Sequence, residues 1–200
     1  MTAPSSIVRK ICPLLSEDEM SRLNKIEYLG IVCASLLLKK PISPYYVTNI
    51  TDKWVPMTAV IEMSNIVDKA QLNGKSLVYL PKYMPGDHPD FERSDEDFKE
   101  MFLSTLEKMY PEGFSRDQVE DFKICRTRHV MAIPTLRYSE LLPDQKTSVP
   151  GFYLVNSSYI LKGNLNVNET IEIAETAYRD VISKDTEIPV QARDASTVTI

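Results

Sequence analysis

The clearest pattern in the chain is a strand-like run from Lys25 to Lys39, KIEYLGIVCASLLLK. Its even positions (Ile26, Tyr28, Gly30, Val32, Ala34, Leu36, Leu38) make one apolar face, and the odd positions are nearly as apolar. A long strand covered on both faces, at least along its second half, is the expected outcome. Three shorter runs follow at Tyr45–Ile50, at Met57–Met63 (MTAVIEM) and at Lys75–Leu80 (KSLVYL). Pro41, Pro44, the Thr51–Trp54 turn and Asn73-Gly74 punctuate them. Connections this short favour an antiparallel meander. A fifth strand is predicted at about 122–133, where basic and apolar residues alternate through Lys123, Cys125, Arg126, Arg128 and Val130.

Helical signals sit on either side. Ser16-Glu-Asp-Glu19 is a capping box and predicts a short helix to about Leu23. Ser94-Asp-Glu-Asp97 opens a second helix, whose Phe98, Met101, Phe102, Thr105, Leu106 and Met109 fall on one stripe until Pro111 and Gly113 stop it. The acidic stretch Met84–Asp97 before it reads as a solvated loop. Near the C-terminus, Pro150–Asn156 reads as a short strand and Ser157–Val167 as an irregular loop. A helix from Asn168 to Ile182 follows, carried by Ile171, Ala174, Ala177, Tyr178 and Val181. Residues 183–200 lack a helical period and read as a loose tail. The expected class is α+β: a mainly antiparallel sheet, a covering helix at 95–109 and a C-terminal strand-loop-helix. The expected organisation is a lead-in over 1–24, a sheet domain over 25–149, the strand-loop-helix over 150–182 and a tail beyond.

Composition narrows the function. Among 200 residues, 23 Lys and Arg against 28 Asp and Glu leave a formal charge of −5, which weighs against a nucleic-acid binder. The six glycines lie at least twelve residues apart, so no Gly-x-Gly-x-x-Gly turn can be written. Three cysteines, Cys12, Cys33 and Cys125, form no C-x-x-C pair and fit reduced thiols. His88 and His129 belong to no metal-ligand cluster, so no metal site is expected. The N-terminus lacks a signal-peptide core, and the apolar run Ile31–Leu38 is too short to span a bilayer, so a cytoplasmic chain is expected.

A strand, a polar residue at its end, a Gly/Asn-bearing loop and a helix N-terminus make a generic anion or cofactor cradle, because the first amides of a helix are unpaired and its dipole is positive there. The asparagines have a plainer reading as residues that tolerate left-handed turns.

The segment PGFYLVNSSYILKGNLNVNETIEIAETA resembles the C-terminal flavin-contacting part of FAD-dependent, amine-oxidase-like oxidoreductases. That superfamily includes protoporphyrinogen oxidase, phytoene desaturase and UDP-galactopyranose mutase relatives. The stretches IEYLGIVCASLLLKKPISPYYVTNITD, VPMTAVIEMSNIVD and SLVYLPKYMPGD are similar to a bacterial and archaeal subgroup of NAD(P)/FAD-dependent oxidoreductases, so the likeness runs from about residue 7 to 182. It implies cofactor-binding roles for Asn156 near the ribityl-pyrophosphate, Gly163 in the loop, and Val167 and Asn168 at the pyrimidine edge of the flavin. The sequence departs from the family at Glu169-Thr170, where many relatives have Gly-Ala, and at Leu154-Val155 before Asn156.

The sheet then corresponds to a substrate domain roofing the flavin, with Tyr45, Asn49, Glu62 and Tyr79 as substrate-binding candidates and Trp54 and Tyr83 beside them. Each has a structural alternative: Tyr45 and Tyr79 as packed sheet aromatics, Trp54 as a turn cap, Glu62 as an edge-strand residue facing water. Arg126, Arg128 and Arg137 either pair an anionic substrate or decorate a solvated strand face. No residue stands out as a covalent catalyst. The expectation is a C-terminal fragment or subunit of an FAD-dependent oxidoreductase, without the dinucleotide-binding segment. It would act on a small molecule only when joined to its missing N-terminal FAD-binding part or partner chain. Alone it would bind FAD weakly or not at all, and it could self-associate. The alternative is a stand-alone α+β ligand-binding or protein-interaction module with no flavin.

Overall fold

The structure is a computed structural model, and it describes residues 1–186. The chain divides into two compact units: Met1–Glu27 together with the residues from Met131 onward, and Tyr28–Val130.

The Tyr28–Val130 unit is built on a five-stranded sheet. Its strands are β1 (Tyr28–Leu38), β2 (Val47–Asn49), β3 (Ala59–Glu62), β4 (Ser76–Pro85) and β5 (Val119–Ala132), the last ending just past the unit boundary, in the order β2-β3-β4-β1-β5. The long apolar run thus becomes β1, an interior strand paired antiparallel with β4 from Leu29↔Pro85 to Leu38↔Ser76. β4 runs five residues beyond Leu80, where the predicted strand ended. Pro81 does not stop it because its carbonyl turns toward the β3 side, accepting from the Thr58 amide at 2.7 Å. The missing N–H would lie on that side too, so the ladder to β1 is untouched.

The alternation of β1 sorts its faces sharply. Val32, Ala34, Leu36 and Leu38 are fully buried, while Ile31, Cys33, Ser35 and Leu37 are half-buried. The expected two-sided cover is therefore corrected: among the described residues, one face is sealed and the other stays partly open. The seal is α3 (Asp95–Met109), opened by Ser94 Oγ accepting from the Asp97 amide at 3.1 Å. Its Phe98, Phe102, Leu103 and Leu106 complete one core with Val32, Ala34, Leu36, Leu38, Val78 and Leu80. Gly30 is where chains come closest: a Cβ there would meet Phe91 at 2.5 Å, the Thr127 carbonyl at 2.8 Å and Arg128 Cα at 3.0 Å.

The acidic stretch before α3 is not simply solvated. Residues Pro89–Glu92 form a 3₁₀ turn in which Asp90 and Phe91 are buried. Asp90 binds Lys82 at 3.0 Å and Arg93 at 2.8 Å. Burial alone would raise its carboxyl pKa, but the Lys82 hydrogen bond and the Lys82, Arg93 and His88 charges outweigh it and hold the group below its ordinary value.

The other unit contains α1 (Ser5–Ile11), α2 (Glu17–Asn24), α4 (Tyr138–Leu141), α5 (Val167–Ala177) and α6 (Ser183–Thr186). The predicted helix 168–182 starts one residue earlier and stays α-helical only to Ala177; Tyr178–Ile182 is a π-turn, and α6 continues beyond it. The predicted tail thus opens with a helical turn over Ser183–Thr186, and its remainder, 187–200, lies outside the described residues. The strand expected over 150–156 shrinks to a single bridge, Lys146↔Tyr153. Gly151 takes φ +76° within a turn, and Leu154 N bonds to Gln145 O at 2.8 Å, so the segment folds back on 145–147 instead of extending a sheet.

Two outcomes test this architecture. Phe102→Ala should cost about 3–5 kcal/mol in urea unfolding, because it removes a fully buried ring from the sealed face. The second concerns acid. Because the folded Asp90 carboxyl titrates below its unfolded counterpart, its stabilisation is fully present above the unfolded value of about 4 and is lost as pH falls through the folded value. Asp90→Asn should therefore lower stability at neutral pH and flatten the acid limb of the urea midpoint against pH.

Candidate functional site

The open face of the sheet gathers part of the expected substrate set. Tyr79 on β4 stands between Ser35 of β1 and Ile61 of β3. Tyr83 lies opposite Ile31, and Asn49 on β2 lies opposite Ala59, beside the Val47↔Ile61 pair. Because residues two apart share a face, Asn49, Tyr79 and Tyr83 join Ile31, Ile61 and Leu77 on one surface. That surface is mostly apolar with phenol and amide groups at its margin, suited to a flat apolar ligand or a covering domain.

Glu62 points the other way. It pairs with Val78, whose side chain lies in the core, and it is fully buried. Its carboxylate accepts from the Ile42 amide at 3.0 Å and the Ser43 amide at 2.9 Å, with Ser43 Oγ at 3.3 Å. Glu62 is therefore the anchor of the loop between β1 and β2, and the water-facing reading is corrected. Tyr45 lies on that loop with its ring 68% exposed, away from the sheet ladder. The Trp54 ring sits under the Lys108 ammonium at 4.1 Å, joining the turn before β3 to α3.

The basic strand face is also committed. Arg126 binds Asp95 at 2.5 Å and stacks on Phe98, and Arg128 donates to the Gly86 carbonyl, pairs with Glu92 and stacks on Phe91. Arg137, at φ 59°, pairs with Glu140. All three are engaged: the acidic stretch supplies the carboxylates of Arg126 and Arg128, and Glu140 that of Arg137.

In the other unit, the expected flavin-contacting residues divide into two pairs. The Asn156 side chain is engaged: Oδ1 accepts from the Ser158 amide at 2.9 Å and Ser158 Oγ at 2.6 Å, and Nδ2 donates to Ala3 O at 2.9 Å. Gly163 adopts φ +87° beneath the Glu169 carboxylate, which a Cβ would meet at 2.6 Å. Val167 and Asn168 open α5 at an exposed end. The cap is Asn166, whose Oδ1 accepts from the Glu169 amide at 3.0 Å, so the Val167 and Asn168 amides remain directed outward. The Glu169 carboxylate beside them opposes an approaching anion. An apolar-walled groove of about 220 Å³ runs along α5 between Tyr159–Lys162 and Glu169, Glu172, Ile173 and Thr176.

A feature invisible in the sequence is the polar groove of about 760 Å³ beside α2, lined by Ser16, Glu19, Arg22 and residues 143–148 among others. Glu19 organises it. Its carboxylate holds both the amide and hydroxyl of Ser16, and both the amide (2.7 Å) and hydroxyl of Ser148. Burial would raise its pKa, but the Ser148 and Ser16 hydrogen bonds outweigh it and lower it. The capping box marks Ser16 and Glu19, but nothing in the sequence marks the partnership with Ser148, 129 residues away. Among the described residues, no cluster of three or more His, Cys, Asp or Glu is arranged for a metal ion, and no helix is long and apolar enough to cross a membrane.

The fold has counterparts among solved structures. The chain superposes on a protein from Exiguobacterium sp. 255-15 that carries the provisional name protoporphyrinogen oxidase. The TM-score is 0.71 at 16% identity, covering 94% of this chain and 40% of that one. An oxidoreductase from Methanosarcina mazei matches with a TM-score of 0.61 at 18% identity, covering 87% of this chain and 42% of that one. At these identities the likeness shows a shared fold, and the chain spans about two fifths of the length of these structures. No protein-family model and no curated protein matches the sequence.

The buried anchor gives a direct test. Glu62→Gln replaces one acceptor oxygen by a donor facing two backbone amides, and should cost about 1.5–3 kcal/mol in urea unfolding, the range for hydrogen bonds to a buried charge. Asn49→Ala, on the open face, should leave the unfolding midpoint nearly unchanged.

Proposed function

We propose that this chain is the substrate-domain portion of an FAD-dependent oxidoreductase of the amine-oxidase-like kind, completed by a dinucleotide-binding part. The observation that carries the reading is the asymmetric sheet: one face sealed by α3, the other lined by Ile31, Leu77, Tyr79, Ile61 and Tyr83 and left half-buried. An apolar sheet face of this kind calls for a cover, and the superposed oxidoreductases are more than twice as long as this chain.

In the completed protein the open face binds and orients a small apolar substrate, with Asn49, Tyr79 and Tyr83 giving polar contacts at its edge and the aliphatic residues excluding water. The Val167 and Asn168 amides, exposed and unpaired within α5, fit the carbonyl oxygen of a flavin edge, while the Glu169 carboxylate beside them disfavours a fully charged group there. Asn156 and Gly163 fit less well as direct contacts, because the first spends its side chain on Ser158 and Ala3 and the second is covered by Glu169. They shape the loop. The flavin, when bound, supplies the hydride chemistry. With two amides in reach and no Gly-rich pyrophosphate loop, this chain alone holds FAD weakly or not at all.

The test begins at the DNA upstream of the Met1 codon. A reading frame encoding a strand with Gly-x-Gly-x-x-Gly, co-expressed with this chain, is expected to give a yellow complex absorbing near about 450 nm with about one flavin per chain. A complex that stays colourless with FAD in excess would overturn the reading. If this chain proved a clean monomer that binds no apolar dye, the stand-alone module would replace it.

A further inference from the structure

The open face carries a second chemistry that does not depend on the flavin reading. β5 lies beside β1 and is bonded to it at both ends of β1: Lys39 N donates to Gln118 O at 2.9 Å, and Ile133 N donates to Glu27 O at 2.9 Å. The two strands are therefore antiparallel. The eleven residues of β1 are matched by fourteen of β5, so β5 carries extra residues, as bulged edge strands do.

Register in the middle follows from side-chain parity. Phe122 and Ile124 pack on the core, and Arg126 and Arg128 stack on Phe98 and Phe91, so even residues of β5 share the sealed face with the even residues of β1. Odd residues share the open face. Gly30 faces Arg128, whose Cα would lie 3.0 Å from a Cβ at Gly30. Gly30 thus lies against the Thr127–Arg128 backbone, so Cys33, three residues on, and Cys125, three residues back, fall near one another on the neighbouring strands, both on the odd-numbered face. Both bonds at the ends of β1 use odd residues, and on its other side Cys33 meets Pro81, which has no N–H to offer. The Cys33 backbone groups are therefore directed to the β5 side, and neighbouring strands bring same-face residues within the Cα range that a disulfide spans.

We propose that Cys33 and Cys125 are a cross-strand dithiol on the open face of the sheet that closes to a disulfide under a hydroperoxide. Cys125 is exposed and Cys33 half-buried. Burial pushes the Cys33 thiol up, and the nearby Cys125 thiol pushes it further, so the two sulfurs are within electrostatic reach. The exposed Cys125 thiolate attacks the peroxide: an S–O bond forms, the O–O bond breaks and, with hydrogen peroxide, water leaves. Cys33 then attacks that sulfur as its thiolate, forming S–S and expelling the hydroxyl, which departs with a proton as a second water. Two thiols lose two electrons and one peroxide gains them. Closing the disulfide ties the edge strand β5 to β1 one pair away from Ser35 and Tyr79, at the surface where a ligand or a covering domain would sit.

The third cysteine is an internal control. Cys12 is buried at the end of α1, in the other unit. The reduced chain is treated with hydrogen peroxide, quenched, alkylated in denaturant and digested without reductant for mass spectrometry. The expected result is a fall from three alkylatable thiols to one, a linked Cys33–Cys125 peptide pair two hydrogens lighter than its parts, and recovery of all three thiols with dithiothreitol. In Cys33→Ser, dimedone should trap Cys125 sulfenic acid with no internal link. Sulfinic acid on Cys125 with Cys33 still fully alkylatable, a Cys125–Cys125 dimer, or a link to Cys12 would each overturn the proposal. None of these outcomes bears on whether the chain joins a flavin-binding partner.

Discussion

Everything in the Tyr28–Val130 unit depends on β1 serving two unequal faces. Its even residues disappear under α3 with a full complement of aromatic and aliphatic partners, while its odd residues, equally apolar in composition, stay half-covered. A strand with that composition is normally sealed on both sides. The asymmetry sets the remaining problems of the unit: how to hold the strand ladder across a proline in β4, how to let Phe91 and β5 close in over Gly30, and what to do with an exposed apolar sheet.

The solutions share one physical device, a carboxylate placed where several donors converge. Glu62 fixes the crossing loop between β1 and β2 through the Ile42 and Ser43 amides. Asp90 gathers Lys82 and Arg93 so that the turn before α3 can bury Phe91. In the other unit Glu19 does the same for α2 and the Ser148 segment. Buried charge is costly unless its lone pairs are filled, and in each case they are filled by backbone amides, hydroxyls or cations. These three acids hold the architecture together.

The open face is consequently the part of the molecule free to act. It brings Asn49, Tyr79 and Tyr83 together with Cys33 of β1, on strands whose positions are held from behind by the packed core. Surfaces supported this way position ligands better than loops do. The loop and α5 terminus around residues 156–168 contrast with it: Asn156 and Asn166 spend their side chains on neighbouring amides, while the Val167 and Asn168 amides face outward.

Local signals in the chain are enough for the class of fold, the five strand regions, the capped helices α2 and α3 and the lack of a Gly-rich phosphate loop, because alternation, caps and breakers are set by neighbours within a few residues. Where they mislead, the deciding partner is distant. Pro81 looks like a strand end until the direction of its carbonyl is known, and Pro150–Asn156 looks like a strand until residues 145–147 bind its backbone. Glu62 and Tyr79 are equally plausible site residues in the sequence, yet register with Val78 turns one into the core while register with Ser35 and Ile61 turns the other to the open face. Only the tertiary structure could make that choice, since a side chain's face depends on which strand it pairs with and on which side the covering helix lies.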